Sequence, residues 1–302
     1  MSRSRPDLRF DRTCLPSAFL VESHRAFAHA LKLAVAARGA LTLMDTGGRR
    51  EAEQRADFAK VLETLEQWKL LPEGSSSEAI PGLGLDVQEV LLPGSHSARS
   101  SVRYLRRHPH DVVVLAIHHH DGVQRWTHPE VAPPERGSGT VTLFLPHEAA
   151  GFISEETGAV DLRSILVPVD STPDSQRAVD AACKLAHVLG CPDTEGTLLY
   201  VGERDHAPRM LHLEPGAVRW RWAYREGDVD AEILRAAEEY HADLIVMSTE
   251  GRHGFLDALR GSTTERIVRT ARCAVMAVPA YSDKELQHST VIENIATGKL
   301  AI

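Results

Sequence analysis

The chain has 302 residues, which corresponds to roughly two domains at the usual size of about 100–200 residues each. Hydrophobic residues make up 43% and charged residues 25%, and this ordinary globular composition excludes a disordered, collagen-like or coiled-coil chain. The formal net charge is −8, so the basic excess expected of a protein that binds nucleic acid regardless of sequence is absent.

The sequence shows no targeting or membrane segment. The longest strand-like apolar run, residues 112–117, is far shorter than the roughly 20 residues of a membrane helix, and the N-terminus leads into no apolar region typical of a signal peptide. We therefore expect a cytoplasmic protein with no membrane partner. The four cysteines show no C-x-x-C spacing, which predicts reduced thiols rather than a zinc or dithiol site.

Strands and helices are predicted to alternate in the first half of the chain. Residues 18–22 form a short apolar segment that predicts a strand, and residues 26–34 follow with helical periodicity. Residues 40–44 predict a second strand, and the apolar segments 111–117 and 141–146 predict two later ones. Such alternation is typical of a parallel sheet covered by helices.

The second half repeats this order. Residues 165–170 predict a strand, and the turn at 171–174 opens a helix with apolar residues at helical spacing up to residue 189. Further strands are predicted at 197–201, 244–249 and 274–279. The strand 219–222 alternates arginine with tryptophan, which indicates an edge strand with both tryptophans on one face.

The two halves align with each other. Segment 111–117 corresponds to 243–249 without a gap as far as Gly122 and Gly254, and each half ends with a strand and a proline. This predicts two tandem, doubly wound α/β domains with parallel sheets. The boundaries we infer are as follows: an N-terminal arm 1–12, a first domain 13–147, a linker 148–161, a second domain 162–281 and a C-terminal tail 282–302.

The loop after strand 244–249 carries the strongest chemical signal. Gly251 and Gly254 follow the strand directly, and Gly261 and Ser262 open a helix. Glycines and a helix N-terminus both present backbone N–H groups that can hold a phosphate. Asp170 ends the first strand of the same half, where its carboxylate can accept hydrogen bonds from a ribose or an adenine, or alternatively serve as a turn acceptor for the residues after it.

At this point the second half resembles a universal stress protein domain, over about residues 161–281. That family's nucleotide-binding pattern is Gly, two residues, Gly, nine residues, Gly, then Ser or Thr; Gly251, Gly261 and Ser262 match it, and Ser248 replaces the first glycine. The resemblance implies an adenine nucleotide alpha hydrolase-like fold that binds ATP or ADP, with or without Mg²⁺, and a stress-response binding and signalling role. The nucleotide-binding residues it implies are Pro168, Val169, Asp170, Val201, Met247, Ser248, Gly251, Gly261, Ser262, Thr263 and Thr264.

The first half resembles the same domain without its site. Its counterparts of the second and third motif glycines and the following serine are His119, Pro129 and Glu130, and Glu22 replaces the first-strand aspartate. Proline lacks the N–H that would bind a phosphate, and glutamate repels one. We therefore expect the first half to be a degenerate partner domain that binds no nucleotide.

Two other functions stay open. Ser248 and Glu250 favour a ligand-free interaction protein of the same fold, because a serine crowds the phosphate approach and a glutamate beside it is repulsive. A slow ATPase or phosphotransferase is disfavoured, since the sequence offers no candidate general base and hence no catalytic residue. The run His118–His120 could bind a metal, but adjacent side chains diverge in an extended loop, so no metal site is predicted.

The resemblance also predicts how the halves assemble. Single domains of the family dimerise through their last strands, which here are residues 141–145 and 274–278. In one chain these strands can pair antiparallel, because covalent linkage gives a high effective concentration and pairing covers both edges. A homodimer of chains would need another surface, such as the strand with Trp220 and Trp222 or the tail after Ser282.

Overall fold

The computed structural model is an α/β structure in which strands and helices alternate along the chain. It describes residues 8–16, 24–45, 51–92, 97–117, 139–146, 149, 151–208, 212–213, 216, 218–249 and 263–280. Among these residues, no helix is both long enough and apolar enough to cross a lipid bilayer.

The first half contributes the following elements in chain order: β1 (Arg12–Pro16), α1 (His24–Ala37), β2 (Ala40–Asp45), α2 (Glu51–Gln67), β3 (Asp86–Leu91), α3 (Ser97–Arg107), β4 (Val112–Ile117) and β5 (Val141–Pro146). A 3-10 helix, Ser77–Leu83, lies between α2 and β3.

The second half contributes a similar series: β6 (Ser164–Pro168), α4 (Gln176–Val188), β7 (Thr194–Val201), β8 (Val218–Arg225), α5 (Val229–Glu239), β9 (Leu244–Thr249), α6 (Thr263–Thr270) and β10 (Ala274–Pro279). A short 3-10 helix, Arg204–His206, follows β7.

All of these strands belong to one sheet with the order β3-β2-β1-β4-β5-β10-β9-β6-β7-β8. Within each half the neighbouring strands are parallel, and each half places its strands in the same relative order. At the centre β5 and β10 run antiparallel, with Leu143 opposite Met276. The last strands of the two halves therefore cover each other's edges, which would otherwise expose unpaired backbone groups.

Helices cover both faces of the sheet. In β4, alternate side chains enter two different apolar clusters, Val114 in one and Val113 in the other, because successive side chains of a strand point to opposite faces. The first cluster includes residues of α1 and α4, and the second includes residues of α5 and α6. Both faces are thus apolar, which explains why β4 and β5 are buried at every position. The predicted doubly wound α/β fold class is confirmed.

The first strand lies earlier in the chain than its pattern predicted. The structure places β1 at Arg12–Pro16, whereas the sequence pattern predicts a strand at residues 18–22, a segment that lies outside the described residues. The polar residues Arg12 and Thr13 and the closing Pro16 make this segment look unlike a strand, yet four of its five residues are buried. Pro16 ends β1 as Pro168 ends β6, so Ala18 rather than Glu22 is the sequence counterpart of Asp170.

The segment between the halves packs against the first half. Residues 151–161, which we call the linker hairpin, fold back through a bridge between Ile153 and Val160. Phe152 is 1% exposed and belongs to the same apolar cluster as α1. Its N–H donates to His29 Nε2 at 3.1 Å, and its ring meets the His29 ring edge-on at 4.7 Å.

Two further side chains of the first half hold the linker. Arg25 donates to the Ala149 carbonyl at 2.6 Å and to Glu155 Oε1 at 3.0 Å, and Trp68 Nε1 donates to the Glu155 carbonyl at 3.0 Å. Gly158 lies so close to Trp68 that a Cβ there would fall 2.4 Å from the indole. The link between the halves is thus a packed element of the first half's surface.

Candidate functional site

The strands of the second half reach a topological switch point at their carboxyl ends. β6 lies between β9 and β7; the chain continues from β6 to β7 and β8 on one side and then crosses to β9 and β10 on the other. In open parallel sheets, ligands bind in the crevice at such a point. The ends of β6 and β9 therefore border the candidate site.

A tight turn follows β6 and carries Asp170. The Ser171 N–H donates to Asp170 Oδ1 at 2.6 Å, and the aspartate is exposed. Ser175 closes the turn, because its hydroxyl accepts the Asp170 N–H at 2.9 Å and donates to the Asp170 carbonyl at 3.1 Å. Asp170 is thus a turn acceptor, and its carboxylate also reaches the surface at the strand end.

The end of β9 is hydrogen-bonded to the same turn. Ser248 Oγ donates to the carbonyl of Asp174 at 3.0 Å and so joins the two strand ends that border the crevice. The next residue, Thr249, is 4% exposed, and its hydroxyl has no hydrogen-bond partner within the described part of the chain. Buried polar groups are nearly always paired, so this unpaired hydroxyl two residues before Gly251 is unusual.

Four other residues of the expected site lie at the same strand ends but differ in exposure. Val169 and Met247 are buried, and each belongs to one of the two apolar clusters. Pro168 and Val201 are half-buried. Only the backbone of Val169 and Met247 could therefore face a ligand, whereas Pro168 and Val201 retain some side-chain surface.

The first turn of α6 is fixed by an ion pair with α5. Arg266 pairs with Asp230 and donates to Thr263 Oγ1 at 3.3 Å. The hydrogen bond that Arg266 donates to the Asp230 carboxylate raises the pKa of Arg266 above its ordinary value. Thr264 is buried at the next position. The helix that begins at the expected phosphate side is therefore held against its neighbour.

The glycine motif belongs to the segment between β9 and α6. Gly251, Gly261 and Ser262, with Glu250, lie outside the described residues, as do His119, Pro129 and Glu130 of the first half. Of the expected site residues, the structure brings together those at the ends of β6, β7 and β9 and holds the start of α6 against α5, and the loop between β9 and α6 remains a prediction.

Three consecutive residues that support this site were not predicted from the sequence. Ser175, Gln176 and Arg177, which we call the α4 anchor, are all buried although each is polar or charged. Ser175 closes the Asp170 turn, as described above. Gln176 forms two hydrogen bonds with the backbone of His212, accepting its N–H at 2.7 Å and donating to its carbonyl at 3.0 Å. The anchor thereby ties the connection between β7 and β8 to the start of α4.

The third anchor residue reaches the other half of the chain. Arg177 Nη2 donates to the carbonyl of Gly139, the residue two positions before β5, at 3.2 Å. A polar run between a turn and an apolar helical pattern is the ordinary sign of a helix start. Nothing in that pattern distinguishes capping residues from residues that bind distant segments, so the anchor was visible in the sequence only as a helix boundary.

Two secondary predictions concern histidines and tryptophans. Within the described residues, no group of three or more His, Cys, Asp or Glu side chains could hold a metal ion, and His118–His120 lie outside them.

Strand β8 is at the sheet edge, where Trp220 covers Gly196 of β7. Trp222 and Tyr224 stack with their ring centroids 5.7 Å apart and stay partly exposed. Trp220 thus packs on the sheet.

Comparison with known proteins points to one family. Residues 193–279 match the universal stress protein family. A universal stress protein of Methanocaldococcus jannaschii is 45% identical over 53 residues, which is 18% of this chain and 31% of that protein, so the match spans about a third of its length. A universal stress protein of Synechocystis is 27% identical over 155 residues, 44% of this chain and 95% of its own.

Solved structures share the fold over nearly the whole chain. A universal stress protein from Archaeoglobus fulgidus covers 92% of this chain and 100% of its own with a TM-score of 0.56 and 16% identity. A functionally unknown protein from Pseudomonas aeruginosa covers 94% and 97% with a TM-score of 0.52 and 14% identity. At these identities the likeness concerns the fold alone. The family match and the curated relatives show a universal stress protein domain at residues 193–279, in the second half of the chain.

Proposed function

We propose that the second half binds an adenine nucleotide, ATP or ADP, and that the protein acts as a stress-response binding and signalling module in the cytoplasm. The observation that carries the proposal is the hydrogen bond from Ser248 to the Asp174 carbonyl. It joins the Asp170 turn to the strand end from which the segment with Gly251, Gly261 and Ser262 continues. The groups that would hold the two ends of a nucleotide are therefore attached to adjacent strand ends.

The residues present fit such a ligand. The exposed carboxylate of Asp170 can accept hydrogen bonds from a ribose or an adenine amino group. The unpaired hydroxyl of Thr249 can donate to a phosphate, and the glycines that follow it can offer backbone N–H groups. The α6 N-terminus, which begins at Thr263, would add its free N–H groups and a favourable dipole.

Ser248 had favoured a ligand-free protein, and its contact weakens that alternative. The hydroxyl donates to a backbone carbonyl of the neighbouring turn, so the serine forms part of the wall of the crevice. Glu250 still favours the alternative, because a carboxylate beside the phosphates is repulsive unless it meets a cation. We do not propose catalysis, since no described group is placed as a general base.

We further propose that the chain is a tandem repeat in which the first half lost its site. Both halves place five strands in the same relative order. In the first half, Ala18 takes the sequence position of Asp170, and Pro129 and Glu130 take those of Gly261 and Ser262. A chain in which only the second half retains the site binds one nucleotide.

Isothermal titration with ATP and ADP tests the proposal, together with mass spectrometry of any nucleotide released from the purified protein. We expect one nucleotide per chain. Gly261→Pro should abolish binding, because proline removes a backbone donor and hinders the helix start. Gly122→Ala at the corresponding region of the first half is the matched control and should bind normally. Two equivalent sites per chain, or full affinity in a folded Gly261→Pro variant, contradict the proposal.

A further inference from the structure

The start of α4 connects the candidate nucleotide site to the first half of the chain. Ser175 closes the Asp170 turn, and Asp174, one residue earlier, accepts the hydrogen bond from Ser248. Arg177, two residues later, bonds the Gly139 carbonyl in the first half. A stretch of four residues therefore binds both border strands of the crevice and the other domain.

The contact between Arg177 and Gly139 is closely fitted. Arg177 is 7% exposed, and its guanidinium lies so near the Gly139 Cα that a Cβ there would fall 2.2 Å from Nη2. Any side chain at residue 139 would force the guanidinium to move. The tightly packed atoms around a buried guanidinium leave it few positions, so a displacement of one half can pass through it to the other half. An exposed guanidinium would instead move into solvent.

Gly139 is itself anchored within the first half. The next residue, Thr140, is buried and donates from its hydroxyl to the His110 carbonyl at 2.8 Å. Val141 N–H donates to the Asp111 carbonyl at 2.9 Å and begins the pairing of β5 with β4. The carbonyl that receives Arg177 therefore has a position fixed by the sheet of the first half.

We infer that Arg177 is the positioning residue through which the first half keeps the nucleotide site of the second half in its binding shape. The inference rests on the proposed nucleotide binding and assigns a role to the half that has lost the motif. Arg177 acts through Ser175 and Asp174, which hold the two strand ends together. When the contact between Arg177 and Gly139 is lost, the Asp170 turn is held less firmly. Nucleotide binding must then order the turn, and the affinity falls.

Nucleotide affinity in Arg177→Met, Gly139→Ala and the double variant provides the test, by isothermal titration. Each single variant breaks the same contact from a different domain, and each should weaken binding roughly 3- to 30-fold. The double variant should be no weaker than the worse single one, because residues that share one contact are not additive. Arg163→Met is the control: this arginine is mostly exposed and precedes β6, at the end of the strand opposite to the Asp170 turn, so the variant should bind nucleotide as the wild type does.

A second measurement separates positioning from a purely structural role. Linkage is reciprocal, so saturating nucleotide should slow hydrogen exchange of the peptide 139–146 in the wild type and leave it unchanged in Arg177→Met. Should Arg177→Met fail to fold, Arg177→Lys and Gly139→Ala carry the same comparison. Chemical unfolding of each variant shows whether a loss of affinity merely follows a loss of stability.

The outcomes distinguish this inference from the proposed function. A wild-type protein that binds neither ATP nor ADP overturns the proposed function and this inference with it. Nucleotide binding of wild-type strength in Arg177→Met, additive losses in the double variant, or exchange of residues 139–146 that ignores the nucleotide overturns the inference alone.

Discussion

Helices α1 and α4 occupy equivalent places in the two halves, and each carries an arginine at its second position. Both arginines donate to backbone carbonyls that flank β5: Arg25 to Ala149 beyond the strand and Arg177 to Gly139 before it. The two helices also contact each other across the centre of the molecule. In both halves, therefore, the arginine at this helix position bonds a backbone carbonyl next to β5.

The difference lies in what each arginine is attached to. Arg25 is on the helix that holds the linker hairpin through His29, and it pairs with Glu155 of that hairpin. Arg177 follows directly on the turn that borders the candidate site. One contact thus fixes the connection between the halves, and the other fixes the site to the half without a motif. Loss of the Arg25 contacts should therefore lower the stability of the protein, whereas loss of the Arg177 contact should lower its affinity for the ligand.

The largest expected effect comes from removing the centre of the linker contact. Phe152→Ala should lower the free energy of unfolding by about 3–5 kcal/mol, because it deletes a buried ring that packs on His29 and leaves a cavity. Urea unfolding followed by circular dichroism measures the loss. Leu91→Ala on the exposed edge of β3 is the control and should change stability by no more than about 0.5 kcal/mol. A loss below about 1 kcal/mol for Phe152→Ala would show that the hairpin is only loosely attached.

A smaller effect should appear as a pH dependence at the same contact. His29 Nδ1 donates to the Arg25 carbonyl and Nε2 accepts the Phe152 N–H, so the folded state needs the neutral ring. Burial, with a lesser contribution from the charge of Arg25, lowers the pKa of His29 to about 4, and Arg25 is in turn paired with Glu155. Because the folded pKa lies below the unfolded value of about 6.5, this stabilisation is complete above about pH 6.5 and is lost as the pH falls toward 4.

Comparison of the wild type with His29→Gln isolates this contribution. Between about pH 6.5 and about pH 5, the wild type should lose roughly 1 kcal/mol per pH unit more than the variant does, since glutamine can still accept the Phe152 N–H without titrating. His110, whose pKa is also lowered mainly by burial, is present in both proteins and cancels. Unfolding curves that shift in parallel with pH would exclude His29 as the cause.

The smallest effect is expected on the outer side of the linker. Asp161 and Arg163 form an ion pair in which both side chains are mostly exposed to solvent. Exposed pairs contribute about 0–1 kcal/mol and weaken further with salt. Asp161→Asn should therefore change the free energy of unfolding by less than about 0.5 kcal/mol, measured by the same urea titration at low and high salt. A loss comparable to that of Phe152→Ala would mean that charge, rather than packing, holds the linker.

The hydrophobic pattern alone was sufficient to predict the strands that are mainly apolar. These are β4, β5, β9 and β10, and a strand buried on both faces is expected to be mainly apolar. The pairing of β5 with β10 had likewise been expected from the family resemblance, and the register is now defined. The glycine motif was visible in the sequence as well, although its geometry remains a prediction.

The sequence by itself determined the alternation of strands and helices, the doubly wound class and the strand ends at which a ligand site is expected. Only the tertiary structure decided where β1 begins, that the linker hairpin packs on α1, and that Ser175, Gln176 and Arg177 bind three separate segments. Periodicity reports which face of an element is apolar, because neighbouring residues share that face. It cannot report which distant backbone a buried polar side chain will meet, since that partner is brought near only when the whole sheet has formed.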